Sequence, residues 1–290
     1  MLPLWVHAAR PKTLFIGASP ILIGTALGLK AGFFHPWIFL TSLVGALLIQ
    51  IGTNYSNDYF DFLKGADTSA RKGPYKVLQQ GLVTPYAMKL AFILCFAGGF
   101  LCAFLLSLYA GPFFLVIGLV CILFSLLYTA PPFPLAYLGL GDLFVLIFYG
   151  PVATLSCYYL QTGHLSPEAA FASLLPGLLG LGPLTLNNLR DYEEDKRSSK
   201  KTLVVRFGRN YGRWQYLFSL GLLFFIPILL ALYTRTHWLC LSCSLSTLFA
   251  LPLIKTTFQT NDSLLLQKVF VKTAKIVPLY TALFCLGWLL

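Results

Sequence analysis

The chain has 290 residues, of which 57% are hydrophobic and only 11% are charged, and its mean hydropathy is +0.76. Soluble chains carry roughly 25% charged residues, so this composition excludes a soluble globular domain, a disordered chain and a secreted disulfide scaffold. The net charge of +11 does not indicate a nucleic-acid partner, because the basic residues of a lipid-buried chain usually mark its topology.

Apolar runs long enough to cross a bilayer, about 17 to 25 residues each, recur along the whole chain. Helices are expected, because lipid offers backbone groups no hydrogen-bonding partner and barrel strands would alternate in polarity. The predicted spans cover residues 13–29, 37–54, 88–109, 112–129, 138–161, 169–187, 214–233, 237–254 and 271–290. The sequence therefore predicts an all-α integral membrane protein with nine transmembrane helices, in a single domain over residues 1–290.

Positive charge is distributed unevenly between the two ends of the predicted spans. If the N-terminus is cytoplasmic, only Lys30 and Arg235 of the 21 Lys and Arg residues fall on the outer side. Basic residues accumulate in cytoplasmic loops, so we expect a multi-pass protein of the cell inner membrane with its N-terminus inside. The long polar loops 55–87 and 188–213 then also face the cytoplasm, and they carry seven of the ten acidic residues.

Two clusters of acids and amides lie at the cytoplasmic ends of spans. The first is spaced at i, i+3, i+4 and i+7, so its members share one helical face. It consists of Asn54, Asn57, Asp58 and Asp61. The second is spaced at i, i+3 and i+7 and consists of Asn188, Asp191 and Asp195. Ionisable residues at a membrane span are costly unless they serve a site, although two solvated helix ends with surface ion pairs are the structural alternative.

The two clusters are expected to converge, because four spans separate them and an even number of crossings returns the chain to the same side. Convergent carboxylates and amides suit Mg²⁺, which proteins hold through one or two carboxylates together with substrate phosphates. Neighbouring basic side chains would neutralise the phosphate charge as the leaving group departs; they are Arg71, Lys72, Lys76, Arg190, Lys200 and Lys201. A cation-coupled transporter is the alternative use of such acids, but the dense flanking cations would repel its ion.

At these clusters the sequence resembles the UbiA superfamily of intramembrane aromatic prenyltransferases. The family's N-D-x2-D-type first motif corresponds to residues 57–61, and its D-x3-D second motif corresponds to residues 191–195. The similarity continues through ARPKTL at 9–14, RKGP at 71–74 and YTAPPFPLAYLGLGD at 128–142. Together these segments are most similar to the branch that prenylates 1,4-dihydroxy-2-naphthoate and so forms demethylmenaquinone in menaquinone synthesis.

The resemblance implies a central cavity, Mg²⁺ as cofactor, and an allylic cation that forms from a polyprenyl diphosphate and alkylates an electron-rich ring carbon. The implied metal ligands are Asn57, Asp58, Asp61, Asp67, Asp191 and Asp195, where Asp67 stands in for a third family Asp expected at Gly65. Besides Asn57, the candidate diphosphate-binding residues are basic side chains near the two clusters, namely Arg71, Lys72, Lys76 and Lys201. The lipid bilayer and the two substrates are the expected partners, with no obligate protein partner.

Side chains are also expected to bind the aromatic acceptor and to stabilise the allylic cation. Arg10, Lys12, Asn54 and Asn188 are the candidates for acceptor binding. Tyr128 is the candidate for a cation–π contact with the allylic cation, which makes it catalytic together with the four aspartates of the two motifs. Arg10 and Lys12 can also be topology anchors, and Tyr128 an ordinary interfacial aromatic. The alternative acceptors are 4-hydroxybenzoate, a porphyrin or 1,4-dihydroxy-6-naphthoate, and the prenyl chain length depends on the depth of the tunnel.

Overall fold

The computed structural model describes residues 2–65 and 76–290, and every regular element within these residues is helical. The α-helices are α1 (Leu2–Ala8), α2 (Pro11–Lys30), α3 (Pro36–Leu63), α4 (Pro85–Ala110), α5 (Phe113–Leu127), α6 (Gly141–Ile147), α7 (Ala153–Thr162), α8 (Pro167–Ala172), α9 (Leu174–Arg190), α10 (Tyr192–Arg197), α11 (Leu203–Phe207), α12 (Arg209–Thr234), α13 (Leu241–Ser246), α14 (Leu251–Gln259) and α15 (Ser263–Leu289). The predicted all-α fold is confirmed.

Each predicted span corresponds to a helical segment of the described residues. Eight segments of 20 to 28 residues are long and apolar enough to cross a membrane. The ninth, α5, has only 15 residues, which makes it about 22 Å long at 1.5 Å per residue, against a hydrocarbon core of about 30 Å. The chain is therefore a multi-pass membrane protein, and the count of nine depends on this short helix.

Sequence signals explain where several helices begin. Proline lacks a backbone donor and fits the first turn of a helix, where that donor would be unpaired. Pro11, Pro36, Pro85 and Pro167 occupy such positions. The last helix starts eight residues before its predicted span, because the side chain of Asp262 accepts hydrogen bonds from the backbone N–H groups of Leu264 and Leu265, both at 2.8 Å.

Two predicted spans contain turns of another helix type within the α-helix. The fifth starts only at Gly141 and contains a π-helical turn at Phe148–Val152, where Pro151 lacks a donor. The eighth alternates between α-helix and the 3₁₀ turns Trp238–Cys240 and Thr247–Ala250. Hydrophobic runs do not reveal such breaks, because a buried segment stays apolar on every side.

The helices are arranged so that the most buried ones stand at the centre. The segment α8–α9 is 78% buried and α2 is 67% buried, whereas α4 is only 22% buried. Close contact between α2 and α7 depends on Gly24, where a Cβ atom would lie 2.7 Å from the Thr154 carbonyl oxygen. A space lined by α2, α3, α5, α7 and α9, together with the π turn, remains between these helices.

Candidate active site

The first acidic cluster lies on the last three turns of α3, which continues without a break to Leu63. Asp58 is only 2% exposed, and the Nη2 of Arg10 donates to its Oδ1 at 2.5 Å. Asp61 accepts a hydrogen bond from the Nζ of Lys76 at 2.8 Å and one from the hydroxyl of Tyr137 at 3.0 Å. Both carboxylates therefore have cationic partners within hydrogen-bonding distance.

The segment after α5 holds the remaining members of this cluster in place. The hydroxyl of Thr129 donates to the Oδ1 of Asn57 at 2.8 Å. The Nζ of Lys64 donates to the carbonyl oxygen of Thr129 at 2.7 Å and lies 4.0 Å from the centre of the Tyr137 ring. The N-terminal turn contributes as well, because the Nδ2 of Asn54 donates to the carbonyl oxygen of Ala9 at 2.9 Å.

The second acidic cluster is arranged differently from the expectation. Its spacing predicts one continuous helical face, but α9 ends at Arg190 and α10 begins at Tyr192, with Asp191 between them. The guanidinium of Arg190 holds Asp191 through two hydrogen bonds, at 2.6 Å and 2.5 Å, and also donates to Gln267. The backbone N–H of Asp195 still bonds to the carbonyl of Asp191 at 2.8 Å, so the two acids remain one turn apart.

The two clusters meet at a common opening, called the mouth below, which is lined by Arg10, Lys12, Asp58, Lys76, Asn187 and Arg190 together with α1 and part of α15. Lys200 joins the clusters on the other side, where its Nζ lies 3.4 Å from the Oδ1 of Asp195. Burial alone would lower the pKa of Lys200, but the carboxylates of Asp195 and Asp61 outweigh burial and raise that pKa above its ordinary value. The convergence expected from the even number of spans is therefore present.

The donor set at the mouth fits a hard cation. Carboxylate and amide oxygens are the ligands that Mg²⁺ prefers. Asp58 lines the mouth, Asn57 lines the chamber next to it, and Asp191 is paired with Arg190, which lines the mouth from α9. Within residues 2–65 and 76–290, no three His, Cys, Asp or Glu side chains stand in a ready metal-binding group. Binding of a metal would therefore require the carboxylates to exchange basic partners such as Arg10 and Arg190 for the ion.

The remaining predicted residues take varied positions. Lys12 is exposed at the mouth. Asn188 is buried and lines a small cavity beside Tyr128 and Lys200. The side chain of Lys201 is exposed, and its backbone N–H donates to the carbonyl oxygen of Tyr137 at 3.0 Å. The predicted residues Asp67, Arg71 and Lys72 lie outside the described residues.

Below the mouth the space becomes increasingly apolar. An aromatic chamber follows first, lined by Tyr128, Phe124, Phe144, Phe148 and Tyr149 together with Asn57 and Asn187. The rings of Phe124 and Phe144 lie 4.7 Å apart, and those of Phe144 and Phe148 lie 5.6 Å apart and are stacked. The chamber then opens into a tunnel between α3, α4, α5 and α7, whose lining is mostly aliphatic and small.

Sequence reasoning missed three residues of this site. Tyr137 donates a hydrogen bond to Asp61, and Thr129 donates one to Asn57. Asn187 lines both the mouth and the chamber. Tyr137 and Thr129 belong to the segment 128–142, whose similarity to the family was the available signal. Asn187 directly precedes the second cluster, but it falls outside the i, i+3, i+7 pattern of that cluster.

Comparison with known proteins agrees with this architecture. The UbiA prenyltransferase family model matches residues 18–277. The 1,4-dihydroxy-2-naphthoate octaprenyltransferase of Escherichia coli (strain K12) is 34% identical over 298 residues, covering 98% of this chain and 94% of the relative. The enzyme of the same name from Mycobacterium tuberculosis is 36% identical and covers 73% of this chain and 72% of its own.

Solved structures show the same fold at low sequence identity. A UbiA homolog from Aeropyrum pernix K1 superposes with a TM-score of 0.72 at 14% identity, covering 96% of this chain and 98% of its own. A UbiA homolog from Archaeoglobus fulgidus bound to DMAPP and Mg²⁺ superposes with a TM-score of 0.61 at 15% identity, covering 97% of this chain and 99% of its own. On its sequence and its fold, the chain belongs to the UbiA prenyltransferase family.

Proposed function

We propose that this protein transfers a polyprenyl group from a polyprenyl diphosphate to the ring of 1,4-dihydroxy-2-naphthoate, a step of menaquinone biosynthesis. The observation that carries the proposal is the shape of the site, in which two acidic helix ends share one mouth above an aromatic chamber and an apolar tunnel. A polyprenyl diphosphate has the same division into a charged head and an apolar tail. Support for the acceptor comes from the octaprenyltransferases that the chain resembles over most of its length.

We assign the diphosphate head to the mouth and Mg²⁺ to its carboxylates and amides. The assigned ligands are Asn57, Asp58, Asp61, Asp67, Asp191 and Asp195. Bound Mg²⁺ would neutralise the diphosphate oxygens and so favour their departure. Lys76 and Arg190 already lie within hydrogen-bonding distance of these acids, so they are positioned to pair with phosphate oxygens instead.

The protein's own residues then guide the transfer. The bond between C1 of the prenyl chain and the diphosphate oxygen breaks, and its electron pair leaves with the diphosphate. The aromatic faces of the chamber, Tyr128 among them, stabilise the positive charge on the allyl group, since cation–π contacts contribute about 2 kcal/mol or more when desolvated. A ring carbon of the acceptor supplies the electron pair of the new bond, and the ring regains aromaticity by losing a proton or, at the carboxylated carbon, CO₂.

Residues near the N-terminus are assigned to the acceptor. Arg10 and Lys12 line the mouth with their positive charges, which suits the carboxylate of a naphthoate. Asn54 lines the chamber below them, and Asn188 lies beside Tyr128. We further propose that the mouth faces the cytoplasm of an inner membrane, which the location of most basic residues on that side supports.

Of the adjacent Lys200 and Lys201, Lys200 is expected to bind the diphosphate, because its ammonium lies 3.4 Å from the carboxylate of Asp195. Replacing Lys200 by methionine should raise the KM for the prenyl diphosphate about tenfold or more, since a hydrogen bond to a charged group contributes about 1.5–3 kcal/mol. Lys201→Met is the matched control and should leave that KM unchanged. Equal KM values for the two variants would contradict the assignment.

Product formation tests the proposed function directly. Purified protein with Mg²⁺, a prenyl diphosphate and 1,4-dihydroxy-2-naphthoate should yield a product whose mass includes the prenyl group. Removal of divalent metal with EDTA should abolish the product, and added Mg²⁺ should restore it. A transporter would form no covalent adduct. Prenylation of 4-hydroxybenzoate but not of the naphthoate would assign the protein to another acceptor.

A further inference from the structure

Two polar side chains face each other where the aromatic chamber meets the apolar tunnel. Gln50, on α3, is only 8% exposed, and the hydroxyl of Tyr149 donates to its Oε1. Both residues line the chamber and the tunnel. Gln50 precedes Asp58 by eight residues on one helix, so the pair lies about 12 Å below the acids of the mouth.

The pair is held in this position from behind. A Cβ atom at Gly17 of α2 would lie 3.3 Å from the Cβ of Gln50, and a Cβ atom at Gly180 of α9 would lie 3.9 Å from the Cδ2 of Tyr149. Tyr149 also belongs to the π-helical turn, an irregularity that often occurs at functional sites. The two side chains are therefore backed by neighbouring helices and directed toward the cavity.

Binding of an apolar prenyl tail does not require these polar side chains. Within the described residues, no group accepts a hydrogen bond from the Nε2 of Gln50, and polar groups in a membrane interior are costly unless they find partners. The hydroxyl oxygen of Tyr149 keeps a free acceptor site while it donates to Gln50. Side by side, the pair offers a donor and an acceptor, the complement of a phenolic hydroxyl group.

We infer that Gln50 and Tyr149 recognise the ring hydroxyl of the aromatic acceptor that points away from the mouth. The inference rests on the proposed function. The acceptor carboxylate then faces Arg10 and Lys12, and the ring lies between the mouth and the pair. The distal hydroxyl accepts a hydrogen bond from Gln50 and donates one to Tyr149. The pair thereby determines specificity for a dihydroxylated ring.

The test compares 1,4-dihydroxy-2-naphthoate with 1-hydroxy-2-naphthoate, which lacks the distal hydroxyl, using one prenyl diphosphate and the full-length protein. In Tyr149→Phe and Gln50→Leu, the ratio of kcat/KM for the two acceptors should fall at least about tenfold relative to wild type, because a site that hydrogen-bonds a hydroxyl discriminates against its absence. The KM for the dihydroxy acceptor should rise, and the KM for the prenyl diphosphate should not change. Differences in intrinsic reactivity between the acceptors cancel, since they are the same for every variant.

Tyr159→Phe is the matched control, because Tyr159 lies on α7, is 38% exposed and lines neither cavity. It should keep the wild-type ratio. An equal loss with both acceptors, an unchanged ratio, or a change confined to the KM for the prenyl diphosphate would overturn the inference. The wild-type protein decides the proposed function separately, because failure with both naphthoates would reject that function before any variant is compared.

Discussion

Asp191→Asn is expected to reduce prenyl transfer by about 10²- to 10³-fold or more, the range observed when one group that stabilises developing charge is removed. The substitution keeps the size of the side chain but removes the charge that Arg190 now pairs with through two hydrogen bonds. A metal-bound diphosphate would lose one ligand from the second wall of the mouth. The rate of product formation by purified protein measures the effect.

Glu193→Gln is the matched control for this variant. Glu193 belongs to the same acidic run, but its side chain is 64% exposed and pairs with Arg209 away from the mouth. Surface ion pairs of this kind contribute about 0–1 kcal/mol, so both activity and expression should stay near wild type. Asp191→Asn with wild-type activity, or Glu193→Gln with an equal loss, would reject the assignment of Asp191 to the diphosphate site.

Asp61→Asn is expected to have an effect of similar size from the opposite wall. Its carboxylate accepts hydrogen bonds from Lys76 and Tyr137, and the asparagine would remove the negative charge that lies 2.8 Å from the Lys76 ammonium, while Asp58 remains at 3.8 Å. Because both walls are proposed to hold one diphosphate together, the double variant Asp61→Asn/Asp191→Asn should be little worse than either single variant. Groups that act as a unit show such non-additivity.

The comparison of single and double variants needs a control carboxylate that belongs to neither acidic cluster and is absent from the lining of the mouth. Asp262→Asn is suitable, because Asp262 caps α15 and asparagine caps a helix as well as aspartate does. This variant should retain activity. If the effects of Asp61→Asn and Asp191→Asn multiply in the double variant, the two aspartates act independently, and a jointly held diphosphate is contradicted.

The membrane architecture and the convergence of the two acidic clusters could be predicted from the sequence. Hydrophobic runs of sufficient length determine the spans, and the even number of crossings places both acidic clusters on one side. The helical face of the first cluster was also predictable, since α3 continues straight through it. These features depend on the local composition and on the number of membrane crossings, and a single sequence provides both.

The details that depend on tertiary contacts could not be predicted. The helix breaks at Asp191 although the spacing favours continuity, and Arg190 holds the carboxylate at that break. Lys200 and Lys201 are adjacent residues of the same type, so the sequence does not distinguish them. The path of the chain after α10 directs Lys200 toward Asp195. The partnership of Gln50 with Tyr149 joins positions 99 residues apart.

The short helix α5 has a consequence for the surrounding lipid. It forms one wall of the tunnel, yet with 15 residues it falls about 8 Å short of the hydrocarbon thickness. Such hydrophobic mismatch is accommodated by local thinning of the bilayer or by tilting of neighbouring helices. We therefore expect the acyl-chain length of the host membrane to influence the tilt of the helices that line the tunnel, and so the space that is open to the isoprenoid.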